Sequence, residues 1–345
     1  MRSTLVVRAA LAAVLVVVSA ARAGAQIYES VGIRAQGMGG AFVAVADDAS
    51  ATWWNPAGLA AGAYVNGIVE WGTTQDPHMA ADAGGAALAS WRSNTRGIAV
   101  AYPALGLSYY RLRVSEIQPI GPIADGTTGR QDQGLAPVRL RSLVLQQVGA
   151  TVGQSIGKHL VVGSTMKLMR GAVASAAETA GGASLDQAAE LEGDTQTHLD
   201  LDIGAMAKVG VVRAGVVVKN VRQPAFGAGD DRLELRRRAR AGVAVAWGGR
   251  GATGPLTVAF DADLTRTPTA TGDQRHIAGG AEGWLFGRSL GLRGGVSANT
   301  VGKARPTAGG GVSLALRSGT YVDGQATFGS DQDRRGWGLA LRLTF

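Results

Sequence analysis

Two pairs of aspartates are the clearest candidates for acid–base chemistry: Asp200 with Asp202, and Asp261 with Asp263. Side chains two positions apart on a strand share one face and lie ~7 Å apart. Carboxylates at that separation can act as general acid and base when a cleft holds a substrate between them. Each pair, however, lies in a run that alternates polar and apolar residues, so we expect the polar face of a sheet instead of a catalytic cleft.

Other residue types that carry chemistry are sparse. The chain has no cysteine, which excludes disulfides, thiol catalysis and cysteine-based zinc sites. Its four histidines, at positions 78, 159, 198 and 276, show no metal-binding spacing. No Ser–His–carboxylate set is recognisable. We therefore predict that the protein is not an enzyme and needs no metal or cofactor; a Ser, a His and a carboxylate within hydrogen-bond reach would revive that class.

The first residues are typical of a secretory signal. Arg2 and Arg8 give a positive start, and residues 11–18 form an apolar run too short to span a membrane. Ala23-Gly24-Ala25 then offers a small-residue cleavage site. We predict a signal peptide over residues 1–25 and hence an exported protein; an uncleaved anchor helix is the less favoured alternative, because polar residues end the apolar run early.

The composition points to strands and tight turns. The chain contains 52 glycines, only 17% charged residues and 46% hydrophobic residues, which is too apolar for a disordered chain. The formal net charge is +8, but no basic run is interleaved with aromatic residues. We therefore expect no nucleic-acid binding.

A period of two dominates the sequence after residue 62. Residues 138–141, 197–203, 260–264 and 339–345 alternate polar and apolar types, as strands with one polar and one apolar face do. A soluble β-sandwich would alternate too. Segments of about ten residues, joined by connections that alternate between short turns and long loops, favour a membrane barrel instead.

The spacing gives about fourteen strands over residues 63–345, and the fold class is all-β: a transmembrane antiparallel β-barrel. An even count places both ends of the barrel at the periplasmic rim, beneath the short turns. Longer polar segments, which we expect at the outer rim, lie near 117–137, 171–195, 221–232, 265–273, 299–305 and 329–335.

The last strand carries a location signal of its own. Leu341, Leu343 and Phe345 alternate with polar residues, so they should face lipid while Arg342 faces the lumen. A terminal aromatic residue after such alternation resembles the signal that the outer-membrane assembly machinery reads. The strand must also pair with the first wall strand near residues 63–72, because an open sheet edge cannot persist in lipid.

Charged residues on the polar faces have two possible roles. They could form ion ladders that hold a plug or line a polar path, or they could simply be solvated in a lumen of mixed charge, which we favour. The arginines at 236–238 fit a solvated outer rim better than a contact with lipopolysaccharide. The lumen candidates are Asp200, Asp202, Asp261, Asp263, Arg111, Arg113, Arg139, Arg141 and Arg342.

The segment before the barrel breaks the alternation. It contains Gly37-Met38-Gly39-Gly40-Ala41-Phe42, then Asp47-Asp48, then Asn55-Pro56-Ala57. No strand leads into the glycines, and their spacing argues against a phosphate-binding loop. The block resembles the N-terminal signature of the FadL-like outer-membrane superfamily, which includes long-chain fatty-acid transporters and PorV/PorQ-type proteins. Residues 218–224 and 279–284 resemble the PorV/PorQ branch more closely.

The resemblance implies a fourteen-stranded barrel with residues 26–62 folded into its lumen as a plug, or hatch. By the same resemblance, the substrate or hatch residues are Gly37, Gly39, Gly40, Phe42, Asn55, Pro56 and Ala57. The implied function is passive transport of a hydrophobic, fatty-acid-like molecule across the outer membrane. The alternative is a PorV/PorQ-like scaffold that binds a secreted protein partner. A purely structural plug is also open.

Overall fold

The computed structural model describes residues 31–79, 89–120, 137–248, 253–269, 272–329 and 334–345. The predicted signal peptide, residues 1–25, and the first residues of the predicted plug segment lie outside this range. Across the described residues, the helices are all too short or too polar to cross a membrane.

Fourteen antiparallel strands close into one barrel, which confirms the predicted fold class. Each strand pairs with its neighbours in sequence, and the last pairs with the first, so the sheet has no free edge. The wall strands are β1 Asn66–Met79, β2 Ala89–Ala101, β3 Leu105–Pro119, β4 Pro137–Ile156, β5 Leu160–Thr179, β6 Thr195–Val209, β7 Val212–Lys219, β8 Arg238–Trp247, β9 Thr253–Asp263, β10 His276–Leu285, β11 Leu290–Asn299, β12 Thr307–Arg317, β13 Thr320–Gly329 and β14 Arg335–Thr344.

Alternation along the strands separates an apolar outer surface from a buried interior. On β14, Leu341 is 41% exposed on the outside, whereas Arg342 is 3% exposed and points inward. Residues 335–344 of β14 pair with residues 66–75 of β1, which confirms the predicted closure. An apolar belt around a closed barrel is the form that a sheet must take to cross a bilayer, since every backbone group is then paired.

The connections alternate in length as expected, with one correction. Residues 171–179 were expected in a long loop, but they continue β5 and pair with residues 137–145 of β4. Their small residues carry little strand signal of their own. The long partner strand supplies the missing backbone partners, and inward-facing Val173 is buried against the interior.

Three short helices precede β1: α1 Ile33–Gly37, α2 Ala51–Trp54 and a 3₁₀ helix Pro56–Ala61. Two short hairpins lie above the wall, where residues 225–226 pair with 233–234 and residues 267–269 pair with 272–274.

The loop after β5 carries a further helix, α3 Leu185–Glu190. Ser184 caps it: the Ser184 hydroxyl accepts from the Gln187 amide, and the Gln187 side chain accepts from the Ser184 amide. The helix packs on the outer faces of β3 and β4, where Ala188 joins Ile117 and Leu140 in a small apolar cluster. This loop therefore covers part of the outside of the barrel.

The barrel seam ends at the last residue. The Phe345 amide donates to the Val65 carbonyl at 2.9 Å, and the Val65 amide donates to the Phe345 carbonyl at 3.0 Å. The Phe345 ring is 63% exposed on the outside. We predict that deleting Phe345 lowers the fraction of folded barrel in outer membranes, because it removes both seam bonds and the terminal aromatic side chain.

Heat-modifiable migration of membrane-extracted protein measures that fraction. Phe328→Ala, which trims another outward phenylalanine that is 62% exposed, is the matched control. Equal amounts of folded barrel from the Phe345 deletion and the control would contradict the assembly role.

Candidate functional site

The segment before β1 lies inside the barrel. We call its described part, residues 31–62, the plug. α1 packs against β11, β12, β13, β14 and β1, and the 3₁₀ helix packs against β4, β5 and β6 on the opposite wall. Most of the plug is fully buried. It therefore crosses the lumen between these two parts of the wall.

Asn55, the first residue of the predicted hatch triplet, ties the plug to the wall. Its side-chain NH₂ donates to the Val43 carbonyl at 2.9 Å and to the Ala205 carbonyl of β6 at 3.3 Å. Its side-chain oxygen accepts from the Ala57 amide at 3.1 Å and caps the 3₁₀ helix. The side chain is completely buried. It holds two parts of the plug together and joins them to β6.

Glycines of the plug approach the wall too closely for any side chain. A Cβ on Gly37 would lie 2.7 Å from the Arg293 Cδ, and one on Gly39 would lie 2.6 Å from the Val296 amide nitrogen. Gly39 and Gly40 also adopt positive φ angles, of 67° and 86°, which disfavour other residues. The plug glycines therefore serve close packing against the wall.

Glycines also lie on the inward face of the wall, opposite the plug, and the sequence analysis did not identify them. Inward positions Gly163 and Gly204 meet Pro56 and Asn55, and inward positions Gly280 and Gly295 meet Met38. A Cβ on any of these four would overlap the plug. The signal was present as glycine at inward strand positions, where a wide barrel would otherwise place large side chains.

Two adjacent glycines on β10 provide a matched test. Gly280 faces inward against Met38, whereas Gly279 faces outward, with nothing within 4 Å of the position that a Cβ would take. We predict that Gly280→Ala lowers the thermal midpoint of the purified barrel, at a cost of roughly 1–3 kcal/mol from overpacking. Gly279→Ala should leave it unchanged. Equal midpoints for the two variants would show that the plug does not bear on this wall.

A buried ion cluster holds the plug at α1. The Arg34 guanidinium makes a two-pronged contact with Glu282 of β10, at 2.7 and 2.6 Å. Its third nitrogen reaches Asp47 at 2.5 Å and Asp48 at 3.1 Å. The fork of an arginine matches a carboxylate in this geometry, and the pair fixes orientation as well as position.

Protonation of this cluster is set by its own members. Burial alone would lower the pKa of Arg34, but the carboxylates of Asp47, Glu282 and Asp48 outweigh it and raise that pKa. Burial alone would raise the pKa of Asp47, but Arg34 and Arg213 outweigh it and lower that pKa. A lowered carboxyl pKa adds stability above its ordinary value and loses it as the pH falls through the folded value. The Arg34–Asp47 pair is therefore charged at neutral pH.

Two wall carboxylates bind the plug backbone directly. Glu70 of β1 accepts from the Gly32 and Ile33 amides at 2.9 and 3.1 Å. Asp261 of β9 accepts from the Phe42 and Val43 amides at 2.7 and 2.8 Å. A helix or turn inside a barrel leaves backbone donors without partners. The carboxylates of Glu70 and Asp261 are the hydrogen-bond acceptors for these backbone donors.

Three of the four predicted lumen aspartates are buried, and Asp263 is partly exposed. Asp200 and Asp202 each lie 2.7 Å from the Lys167 ammonium, and all three side chains are buried. Asp263 pairs with the Arg240 guanidinium at 2.6 Å. The burial of Asp200 and Asp202 fits the alternative of ion ladders at these two positions.

Further ion pairs and hydrogen bonds reach the plug and the strands beside the seam. They involve Arg240 and Arg342. Arg240 donates to the Gly40 carbonyl of the plug at 3.2 Å. Arg342 of β14 contacts Asp323 of β13 at 2.8 Å. Charged groups therefore link the plug and the neighbouring wall strands in the interior.

The four predicted arginines of β3 and β4 divide between the two sides of the wall. Arg139 and Arg141 face the lumen, and Arg141 donates to the Asp231 carbonyl at 3.3 Å. Arg111 and Arg113, expected in the lumen, lie on the outer surface. Their inward neighbour Tyr110 packs edge-on against Trp53 of the plug at 5.1 Å between ring centroids. The contact with Trp53 thus fixes Tyr110, and with it the even-numbered residues of β3, on the inward face.

The loop after β7 closes the outer mouth. We call residues 220–237 the lid; part of it was expected as an outer loop. Phe226, Leu233 and Leu235 of the lid are buried in the same apolar core as the plug. Phe226 packs on Gly171 and meets the His198 ring edge-on at 5.1 Å. The loop therefore folds into the lumen.

Wall aspartates anchor the lid as they anchor the plug. Asp202 accepts from the Asn220 amide at 2.9 Å, and Asp200 accepts from the Arg222 amide at 3.0 Å. Lys167, which pairs with both aspartates, also donates to the Asn220 side chain at 2.9 Å. Lys167 thus joins the two aspartates and Asn220 at the start of the lid.

A small pocket remains between the plug and the wall strands β7, β8 and β9. Trp53, Trp54 and Val43 of the plug face Val217 of β7 across a gap of about 40 Å³. The Lys219 ammonium lies 3.7 Å from the centre of the Trp53 ring. Drug-sized ligands occupy about 300–1,000 Å³, so this gap admits such a ligand only if the plug or lid moves.

Two serines occupy Gly-x-Ser-x-Gly runs, Ser155 in residues 153–157 and Ser289 in residues 287–291. Both lie, exposed, at ends of antiparallel hairpins. The hydrolase nucleophile with this spacing sits on a turn from a strand into a helix. The two runs therefore lack the setting that this chemistry requires.

A family model described as "F plasmid transfer operon, TraF, protein" matches residues 53–263, which is more than half of the chain. The chain belongs to this family. The matched region begins within the plug and extends through β9, so it includes the hatch triplet, the lid and both aspartate pairs. No curated protein matches the sequence significantly.

Solved structures with the same fold are channels and transporters by their printed names. The Ralstonia pickettii toluene transporter TbuX matches with a TM-score of 0.60 and 14% identity, covering 92% of this chain and 99% of that one. The CymD monoaromatic hydrocarbon channel matches with a TM-score of 0.59 and 14% identity over 91% and 97%. A Pseudomonas aeruginosa FadL homologue matches with a TM-score of 0.58 and 10% identity over 93% and 100%.

These matches establish the fold of this TraF-family chain as the FadL-type barrel that the sequence predicted. The family model is not the PorV/PorQ one, so assignment to that branch stays a prediction. The roles assigned to Gly37, Gly39, Gly40, Phe42, Asn55, Pro56 and Ala57 also stay predictions, although the structure places all seven in the buried plug.

The Arg34–Glu282 contact gives a prediction about closure. Glu282→Ala removes the wall partner of a buried guanidinium, which costs roughly 3–5 kcal/mol. We expect a raised ion conductance of the barrel in planar bilayers, because the plug then leaves its seat more often. Glu192→Ala, in the exposed part of the loop after β5, is the control. A conductance of Glu282→Ala as low as that of the control would show that the pair does not keep the lumen shut.

Proposed function

We propose that the protein lies in the outer membrane and passes a hydrophobic small molecule across it passively, with the plug and lid closed at rest. The observation that carries the proposal is the pocket that Trp53, Trp54, Val43 and Val217 line inside this barrel. The shared fold with aromatic-hydrocarbon channels supports it, as does the apolar outer belt.

The lining favours an apolar ligand with a polar or anionic end. Two indole rings and two valines offer apolar contact. The cations Lys219, Arg238 and Arg240 border the same space, together with Asp263, which pairs with Arg240. Aromatic rings contribute large contact areas, and a carboxylate could be held by the bordering cations. This chemistry fits the fatty-acid-like substrate that the resemblance implies.

Passage requires movement of the plug, the lid or both. The gap of about 40 Å³ is a closed state of the pocket. Wall contacts hold the plug through Glu70, Asp261 and Glu282, and hold the lid through Asp200 and Asp202.

Two neighbouring valines of β7 provide the test. Val217 faces the pocket and Val216 faces outward. We predict that Val217→Trp fills the pocket and lowers uptake of toluene and of a fatty acid by proteoliposomes at least about tenfold, whereas Val216→Trp leaves uptake unchanged. Heat-modifiable migration confirms that both variants are folded.

Uptake by the two variants at the same rate would contradict a route through the pocket. Wild-type proteoliposomes that take up neither probe faster than empty liposomes would contradict the transport proposal for these substrates.

The filled interior favours a second candidate. A barrel closed by both plug and lid could act as a PorV/PorQ-like scaffold that presents its outer loops to a secreted protein. Reconstituted protein that carries no apolar probe, yet forms a defined crosslink from Arg237 of the lid to one protein partner in cells, would favour this function over transport.

A further inference from the structure

A basic groove lies on the outside of the wall, where β14, β1, β2 and β3 adjoin. It encloses about 350 Å³, and its lining includes Trp71, Asn94, Arg96, Arg111, Arg113 and Trp337. We infer that this groove binds the phosphate-bearing headgroup of an outer-leaflet lipid. The inference rests on the outer-membrane location but is independent of transport.

The arginines of the groove face outward by the register of the strands. On β2 and β3 the inward positions include Thr95, Tyr110 and Leu112, which are buried. Arg96 and Arg111 pair directly across the two strands. Facing pairs of an antiparallel sheet have Cα atoms about 4.5–5.5 Å apart, so the two guanidinium groups can reach the same ligand.

Rows of outward residues show the depth of the groove in the membrane. Val69, Ile98 and Tyr109 form one exposed apolar row across β1, β2 and β3. The next row toward the long-loop rim contains Arg96 and Arg111. The change from lipid-compatible to cationic residues occurs within one step of ~7 Å, which is where an interface between acyl chains and headgroups belongs.

Helix α3 bounds the groove on the side of the long loops. Arg92, one row beyond Asn94 on β2, contacts Asp186 of α3 at 2.7 Å. α3 lies over the outer faces of β3 and β4 at this height. The groove is therefore enclosed between the apolar belt and a helix that belongs to an outer loop.

The charge of the groove is uncompensated. Its lining contains Arg96, Arg111 and Arg113 and no carboxylate. Among the residues that the structure describes, none of these three guanidinium groups takes part in a hydrogen bond or an ion pair. Cations on a lipid-facing surface are costly unless an anion meets them. Arginine forks bind phosphate with paired hydrogen bonds, so a phosphate satisfies both requirements.

The position of the groove selects a lipid over a soluble anion. Trp71 and Trp337 flank the arginines and are about half exposed, as aromatic residues at a membrane interface are. The apolar row of Val69, Ile98 and Tyr109 continues directly beneath the headgroup site and offers a surface for acyl chains. A soluble phosphate would use the arginines alone.

Native mass spectrometry of the full-length barrel in maltoside detergent tests this site. Lipid A with both phosphates, lipid A stripped of its phosphates, and inorganic pyrophosphate serve as the three probes. The test variant is Arg96→Gln/Arg111→Gln/Arg113→Gln. The control is Lys158→Gln/Arg288→Gln/Arg317→Gln, which removes the same charge from exposed turns on the opposite rim.

We expect wild type and control to retain phosphorylated lipid A, and the groove variant to bind it about a hundredfold more weakly. We also expect that the barrel does not bind dephosphorylated lipid A and does not retain pyrophosphate. Equal lipid affinities of the groove and control variants, equal binding of both lipids, or tight binding of pyrophosphate would each overturn the inference. Heat-modifiable migration verifies that all proteins are folded.

Discussion

A plug inside a wide barrel must find partners for its own backbone, and that requirement organises the interior. Fourteen strands enclose more space than inward side chains alone can fill. The plug that fills the space contains only short helices and turns, whose amide donors need acceptors. Glu70 and Asp261 of the wall provide those acceptors, each to two successive amides. Buried carboxylates need such bonds as much as the amides do, so neither part is satisfied without the other.

The position of the plug against the wall also determines its close backbone contacts and its ion pairs. Gly280 and Gly295 let Met38 come into backbone contact with the wall, and this places Arg34 opposite Glu282. The lid repeats the arrangement with Asp200 and Asp202 as acceptors. Apolar packing adds to these polar contacts, because residues of the plug and the lid share one buried core. Release of either part therefore requires both its polar contacts and its apolar packing to be broken.

Period-two alternation was enough to predict the barrel, the strand number and the closing pair, because each strand has one face in lipid. It failed where packing overrides polarity. Arg111 and Arg113 were expected inside, but Tyr110 is drawn inward by Trp53 of the plug. Alternation shows that the two faces of a strand differ, but it does not show which face lies in the interior. Residues 171–179 were missed because their strand is stabilised by its partner, and the lid was missed because its burial depends on contacts distant in sequence.

The central claim is that the plug is the barrier and must move for a molecule to pass. The chain has no cysteine, so one engineered pair can lock it. A Cβ at Gly106 of β3 would lie 2.7 Å from the Thr52 side chain of α2. Toluene uptake by proteoliposomes of Thr52→Cys/Gly106→Cys is the decisive measurement. We predict that oxidation stops uptake and reduction restores it. Unchanged uptake by the fully oxidised barrel would contradict the account.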